Sequence, residues 1–268
     1  MYQRDKNHPS IVMWSLGNES YGGKVLSMEA DFLRSKDSTR LIHYEGIVND
    51  RRYPTTSDIE SQMYTPASDV KNFILQHPEK PFMLCEYAHA MGNSNGALYK
   101  YADLEKELPL YQGGFIWDFV DQALYDADGQ LRYGGDFKDR PSDYDFCGDG
   151  IVFANRELTP KMQEVKYCYQ YINMNIDNEY INIFNSYLFT NLNQFEFHIG
   201  LYCDGKLLDS KRQVIDLSPQ QSIQIHNPFQ VKDDTHQYYV IIHVYDKNQH
   251  EVAHEQYLYP YHPTILPV

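Results

Sequence analysis

Pro9-Ser-Ile-Val-Met-Trp-Ser-Leu-Gly-Asn18-Glu19 is the stretch on which the fold reading turns. Residues 11–16 form a short, mostly apolar run, the pattern of a strand buried on both faces. The run breaks at Gly17, and the polar pair Asn18-Glu19 follows at its C-terminal tip. A second apolar run, Phe82-Met-Leu-Cys85, ends the same way, with Glu86 at its tip. Two buried strands that each deliver a glutamate at the same end predict a carboxylate pair in one pocket.

Outward from these two strands the chain alternates. Residues 24–35 place Val25, Met28, Phe32 and Leu33 at helical spacing. Residues 41–45 read as a strand ending in Glu45, and residues 59–64 as a weaker one ending in Tyr64. Ser68 is placed to cap a helix through Gln76, stopped by His77-Pro78. A polar loop to Gly96 follows Glu86, then a helix over 98–107 and a strand over 113–120. Strand and helix in alternation predict parallel βαβ units. Five strands with polar tips on one side resemble part of a (β/α)8 barrel, whose sites lie at the C-terminal face. Five strands cannot close such a barrel, which takes about 250 residues. The pattern therefore fits either an open α/β sheet or a TIM barrel without its opening strands.

Beyond residue 172 the period changes. Phe195, Phe197, Ile199, Leu201 and Cys203 alternate strictly before Asp204-Gly205, a type I′ hairpin signal. Strands are predicted over 180–188, 214–217, 222–225 and 238–245. This spacing without helix predicts an immunoglobulin-like β-sandwich of about 100 residues. The division expected is an open α/β sheet or partial TIM barrel over 1–172 and an all-β sandwich over 173–268.

Composition narrows the function classes. Hydrophobic residues at 42% and charged residues at 22% describe a folded chain rather than a disordered one. A net charge of −14 argues against nucleic acid, whose phosphates call for a basic footprint, and against anionic membranes. Cys85, Cys147, Cys168 and Cys203 are dispersed and form no CxxC pair. They predict a thiol-reducing compartment, with neither a zinc site nor a disulfide framework. With no apolar run near the roughly 20 residues of a membrane span and no signal peptide, the expected location is cytoplasmic. Aromatic content of 15% suits strand packing first, and a site where flat rings cover sugar faces second.

A carboxylate pair at strand tips is the equipment of glycoside hydrolysis. One group gives a proton to the leaving oxygen, and the other attacks the anomeric carbon or activates water. At a separation of roughly 5–5.5 Å the reaction retains configuration through a covalent glycosyl-enzyme.

The wording of the motifs carries a resemblance. Asn7-His-Pro-Ser-Ile-Val-Met-Trp-Ser-Leu-Gly-Asn-Glu19 resembles the acid/base signature of family-2 glycoside hydrolases. Cys85-Glu-Tyr-Ala-His-Ala-Met-Gly-Asn-Ser94 is similar to the nucleophile signature of their β-galactosidase branch. Gln112-Gly-Gly-Phe-Ile-Trp-Asp-Phe-Val-Asp-Gln122 and Tyr133-Gly-Gly-Asp-Phe137 match that branch too. The resemblance spans nearly the whole chain and weakens in the sandwich.

It implies roles. Glu19 is the expected general acid/base and Glu86 the nucleophile of a retaining β-galactosidase. Asn18 is expected at the sugar 2-hydroxyl, His89 at other galactose hydroxyls, Trp117 as a platform under the sugar and Tyr64 beside the nucleophile. Without the motifs, His89 reads as a satisfied loop residue, and Trp117 and Tyr64 as core aromatics. The family also binds magnesium (Mg2+) through its acid/base glutamate, here Glu19, with partner ligands upstream of this chain. A sodium (Na+) site is implied at the Phe146 carbonyl and at Asp149, where the family usually has asparagine. The acidic run from Asp136 to Asp149 fits no EF-hand loop and otherwise reads as solvated. Asn18-Glu19-Ser20 also satisfies the N-glycosylation pattern, but a glycan there would block the pocket.

Family members carry further domains and barrel strands before this region and a large sandwich after it. The chain starts just before the acid/base strand and ends at Pro267-Val268. The expectation is the C-terminal part of a split-type large subunit, oligomeric in the complete enzyme, needing N-terminal domains and a small subunit. Two alternatives stand beside it: another family-2 specificity, β-glucuronidase or β-mannosidase, and a non-catalytic subunit or fragment that keeps the glutamates without a full pocket.

Overall fold

Trp14 anchors the first strand. The computed structural model describes residues 1–262. It opens with one helical turn, α1 (Tyr2–Asp5), and the strand β1 (Met13–Ser15). Trp14 is buried, meets Tyr2 edge-on, and donates its indole N–H to Asp37 Oδ2 at 2.9 Å. The expected burial on both faces does not hold: Val12 is 71% exposed, and Trp14 alone is buried within β1. The cause is pairing. β1 runs parallel to β2 (Leu41–His43), and its other edge has no strand partner among the described residues.

Between them lies α2 (Lys24–Lys36), as expected from the period, but with a different face inward. Ala30 and Leu33 pack with Trp14 and Ile42, whereas Val25, Met28 and Phe32 are exposed. A 3-10 turn, Glu45–Val48, follows β2 directly. The chain then runs through β3 (Glu60–Met63), α3 (Ala67–Gln76), β4 (Phe82–Tyr87), α4 (Tyr99–Glu107) and β5 (Tyr111–Ile116). Strands β3, β4 and β5 pair in that order, all parallel. Their helices cover one side, where Val70, Ile74, Phe82, Leu84, Leu104 and Tyr111 form the core. Ser68 does not cap α3. The helix begins at Ala67 with Pro66 at the N-cap, and the Ser68 hydroxyl instead donates to Asp69 Oδ1 at 3.3 Å.

His43 ties the two sheets together. It is buried and hydrogen-bonds Ser15 Oγ of β1 at 3.0 Å and Ser61 Oγ of β3 at 2.9 Å. Burial lowers its pKa below the usual imidazole value. The first unit, Met1–Cys168, is completed by a small hairpin, β6 (Leu124–Tyr125) with β7 (Leu131–Arg132), and by α5 (Lys161–Cys168). It is the C-terminal part of a TIM barrel, not a closed one.

The second unit begins at Tyr169. Its strands are β8 (Ile172–Ile176), β9 (Tyr180–Asn185), β10 (Glu196–Cys203), β11 (Lys206–Gln213), β12 (Ser222–His226), β13 (Tyr238–Tyr245) and β14 (Glu251–Leu258). They form two antiparallel sheets, β11-β10-β13-β14 and β12-β9-β8, closed over a core that includes Ile181, Phe197, Ile199, Val240, Ile242 and Ala253. Asp204 and Gly205 take φ 47° and 81°, the two positive values of the expected hairpin turn, and Cys203 faces Lys206 across it. The predicted strand at 214–217 is absent. Ile215 and Leu217 are buried there in irregular chain, and β10 pairs with β11 on one side and β13 on the other. The last six residues of the expected sandwich span, 263–268, lie outside the described residues, as does the Pro267-Val268 end. No helix among the described residues is long and apolar enough to cross a membrane.

Candidate active site

Parallel strands place their C-terminal ends on one side, so residues just after β1, β2, β3, β4 and β5 share a rim. Glu86 is the next-to-last residue of β4 and is half-buried. Tyr64, directly after β3, donates its phenolic O–H to Glu86 Oε2 at 2.7 Å, and its backbone N–H to the Glu86 carbonyl at 2.9 Å. Burial, then the Glu86 carboxylate, push the Tyr64 phenol well above its usual range, so it remains a donor. Asn18, past the tip of β1, donates its amide to Glu86 Oε1 at 3.3 Å. Both oxygens of Glu86 are thus held from neighbouring strand ends. Behind it, burial pushes the Cys85 thiol up to about 11, which leaves it protonated and unreactive.

Glu19 is exposed on the loop after β1, with φ 50°. Its backbone N–H donates to Glu45 Oε1 at 2.5 Å. Glu45 follows β2 and is only 6% exposed. Burial raises its pKa above the ordinary carboxylate range, the Glu19 N–H opposes this, and the charges of Glu19 and Glu86 add to it. Glu19 and Glu45 line one cavity of about 580 Å³ together with Tyr21, Gln62, Met63 and Thr65.

The residues expected at the sugar connect through a second set of contacts. The His89 ring stands 5.7 Å from Tyr64 and 6.2 Å from Phe146, centroid to centroid. His89 Nδ1 accepts the Met91 N–H at 3.3 Å, which puts the ring proton on Nε2. Trp117, just past β5, is half-buried; its carbonyl accepts the Ala90 N–H at 2.7 Å and so anchors the His89 loop. Its indole N–H donates to Asp149 Oδ2 at 2.9 Å. The structure therefore links Asn18, Tyr64 and Glu86 by direct hydrogen bonds, ties the Glu19 backbone to Glu45, and connects His89, Trp117, Phe146 and Asp149 by ring contacts and loop ties.

The metal expectations fare differently. Among the described residues no group of three or more His, Cys, Asp or Glu gathers as a metal site, so Glu19 has no companion ligands for magnesium within this set. Asp149 is 2% exposed, not solvated with the rest of its acidic loop, and its Oδ1 has no hydrogen-bond partner among the described residues. That orphaned oxygen fits an oxygen-seeking cation such as sodium. Phe146 is 56% exposed beside His89.

Two roles escaped the sequence reading, those of Glu45 and Asp149 as hydrogen-bond acceptors. Glu45 ends its strand run as Glu19 and Glu86 end theirs, and that third strand-tip glutamate was a usable signal. The acceptor role of Asp149 toward Trp117 had none, since 32 residues separate the pair.

Residues 1–174 match the family model for the TIM barrel domain of glycosyl hydrolases family 2, and residues 181–260 that for domain 4 of beta-galactosidase. A beta-galactosidase of Halalkalibacterium halodurans is 47% identical over 229 residues, which cover 84% of this chain and 23% of that protein. One from Streptococcus thermophilus is 40% identical over 300 residues, covering 100% of this chain and 29% of its own length. A beta-galactosidase large subunit of Latilactobacillus sakei is 54% identical over 174 residues, 63% of this chain and 28% of that one. The chain thus spans less than a third of each of these relatives. With the barrel-domain model matching well over half of its residues, the chain belongs to glycosyl hydrolases family 2.

Proposed function

We propose that this chain supplies both catalytic carboxylates of a retaining β-galactosidase acting on terminal β-D-galactosides such as lactose. The observation that carries the reading is the seating of Glu86, its two oxygens held by Tyr64 and Asn18 at the strand-tip rim that also bears Glu19. The curated relatives bear the beta-galactosidase name, which favours galactosides over the glucuronide and mannoside alternatives.

The steps follow from the groups present. A Glu86 oxygen attacks the anomeric carbon while Glu19 gives its proton to the departing glycosidic oxygen, leaving a galactosyl ester on Glu86. Glu19, now a carboxylate, takes a proton from water, whose oxygen attacks the same carbon and expels the Glu86 carboxylate. Two inversions give net retention. The 2-hydroxyl is the proposed contact of Asn18, His89 serves the remaining hydroxyls through Nε2–H, and Trp117 forms the floor. Sodium is proposed at Asp149 and the Phe146 carbonyl, where it would bind sugar oxygens; magnesium would take Glu19 with ligands from other segments. No step runs through either ion.

Exposed Val12, Val25, Met28 and Phe32, and a β1 edge without a strand partner among the described residues, support a partnered state. We read this as a site completed by N-terminal domains and, given relatives named large subunit, by a small subunit in an oligomer. The four free cysteines suit a cytoplasmic, thiol-reducing setting. A 2-deoxy-2-fluoro-β-galactoside with a good leaving group, read by peptide mass spectrometry, tests the reading. Mass added on the peptide holding Glu86, in this chain or once other segments are supplied, is the expected result. No label in either setting refutes it and leaves a non-catalytic subunit.

A further inference from the structure

The acid/base loop is held in an unfavourable conformation by a buried carboxylate. Glu19 has φ 50°, in the left-handed region that residues with side chains avoid. Ties to the β2 side hold the loop there. Leu16 N–H donates to the His43 carbonyl at 2.9 Å, and Glu45 Oε1 accepts the Glu19 N–H. Gly22 lies so close to Asp50 that a Cβ on it would collide with the Asp50 Cβ.

Glu45 is the tie that a structural role explains least well. It is nine-tenths buried, and no lysine or arginine is among the groups that act on it. Burying a carboxylate without a cation is costly, and a neutral residue would fill the same volume at less cost. What the carboxyl supplies is an acceptor at one place, the backbone of Glu19.

We infer that Glu45 is a positioning residue for the acid/base: by accepting the Glu19 N–H it fixes the backbone that sets where the Glu19 carboxyl sits. The inference rests on the proposed role of Glu19. It makes no use of Glu45 as proton donor or nucleophile, so Glu45 never touches the sugar.

The test compares Glu45→Gln, which keeps an acceptor, with Glu45→Met, which keeps the length without one. Both are built, beside Glu19→Gln, into this chain assembled with the remaining segments of a family-2 β-galactosidase. Phenyl β-galactoside needs a proton on its leaving oxygen; 2,4-dinitrophenyl β-galactoside does not. Displacing a catalytic group by about 1 Å costs about 100-fold, so Glu45→Met should lose about 10-fold to 100-fold in kcat/KM on the phenyl substrate. On the dinitrophenyl substrate it should stay within about threefold, and azide should raise its kcat by replacing water at the second step. Glu45→Gln should recover most of the phenyl-galactoside rate.

Equal loss on both substrates, or no loss, overturns the inference, because disruption of the fold does not sort substrates by leaving group. Should Glu45→Met not fold, Glu45→Ala with and without formate replaces it. Recovery by formate on the phenyl substrate is then expected, and its absence overturns the inference. If Glu19→Gln itself shows no dependence on leaving group, the acid/base reading fails first. If Glu19→Gln shows it and Glu45→Met does not, only the role of Glu45 falls.

Discussion

Removing one oxygen atom from Tyr64 should slow the two chemical steps unequally. Its O–H donates to Glu86 Oε2 at 2.7 Å. A hydrogen bond to a charged acceptor contributes about 1.5–3 kcal/mol, and the 38% exposure of Tyr64 favours the lower part of that range. In the first step Glu86 passes from carboxylate to ester, so the bond weakens as the reaction proceeds and its loss costs that step little. In the second step the carboxylate is re-formed as the leaving group, and the bond strengthens toward the transition state. At 1.36 kcal/mol per factor of ten, Tyr64→Phe should slow the second step by about 10-fold to 40-fold.

Stopped-flow hydrolysis of 2,4-dinitrophenyl β-galactoside by the assembled enzyme reads both steps at once. The variant should release a fast burst of dinitrophenol, stoichiometric with active sites, followed by a steady state slowed by that factor. The 2-fluoro reagent should still label Glu86, because labelling uses only the first step. Equal slowing of both steps without a burst would mean that Tyr64 shapes the pocket rather than stabilising the departing carboxylate. An unchanged steady state would mean that the hydrogen bond does not form in the working enzyme.

Two further predictions concern the frame around the rim. Gly22→Ala drives a methyl into Asp50, whose carboxylate is itself held by Arg52 at 2.7 Å, so overpacking should destabilise the first unit by about 1–3 kcal/mol in urea unfolding. A change under about 0.5 kcal/mol, the usual range for neutral surface substitutions, would show that the loop gives way there. His43 makes the same unit sensitive to acid. Unfolded, it takes up a proton as pH falls below about 6.5, whereas burial makes the folded form resist. Its contribution is therefore complete above that pH and is lost below it. His43→Gln should flatten the fall in stability between about pH 7 and pH 5, and an unaltered slope would remove His43 as its cause.

The strand-tip glutamates were legible because strand and candidate site share one signal: an apolar run that stops at a carboxylate. The parallel order of β3, β4 and β5 and the extent of α4 followed from the same alternation. What failed was burial. Period alone reports that Val25, Met28 and Phe32 share a helix face, but which face turns inward depends on what Trp14 and Ile42 offer it. In the sandwich, β11 left no trace because Lys206–Gln213 is exposed along almost its whole length, so no apolar alternation marks it. Ile215 and Leu217 did alternate, and drew the strand to the wrong place, because a buried irregular segment presents the same pattern.

Within the first unit the two halves of the site rest on unequal supports. Glu86 sits on the central strand of the three-stranded sheet, over a core that includes Leu84, Tyr87 and Leu104, with Tyr64 from the neighbouring strand. Glu19 follows a three-residue strand in a two-stranded sheet, and the small cluster beneath it holds Trp14, Ala30, Leu33 and Ile42. Local stability scales with the packed apolar surface under an element, so the Glu19 end should open far more often than the Glu86 end. The cross-strand bonds oppose this: Asn18 reaches Glu86, and Glu45 takes the Glu19 N–H. Each ties the weaker strand's loop to a neighbouring strand end and costs little to break. A covalent label therefore demands only the better-supported half, whereas turnover of a poor leaving group demands both, and the distance between those two activities in any assembly of this chain measures how completely the β1 edge has been covered.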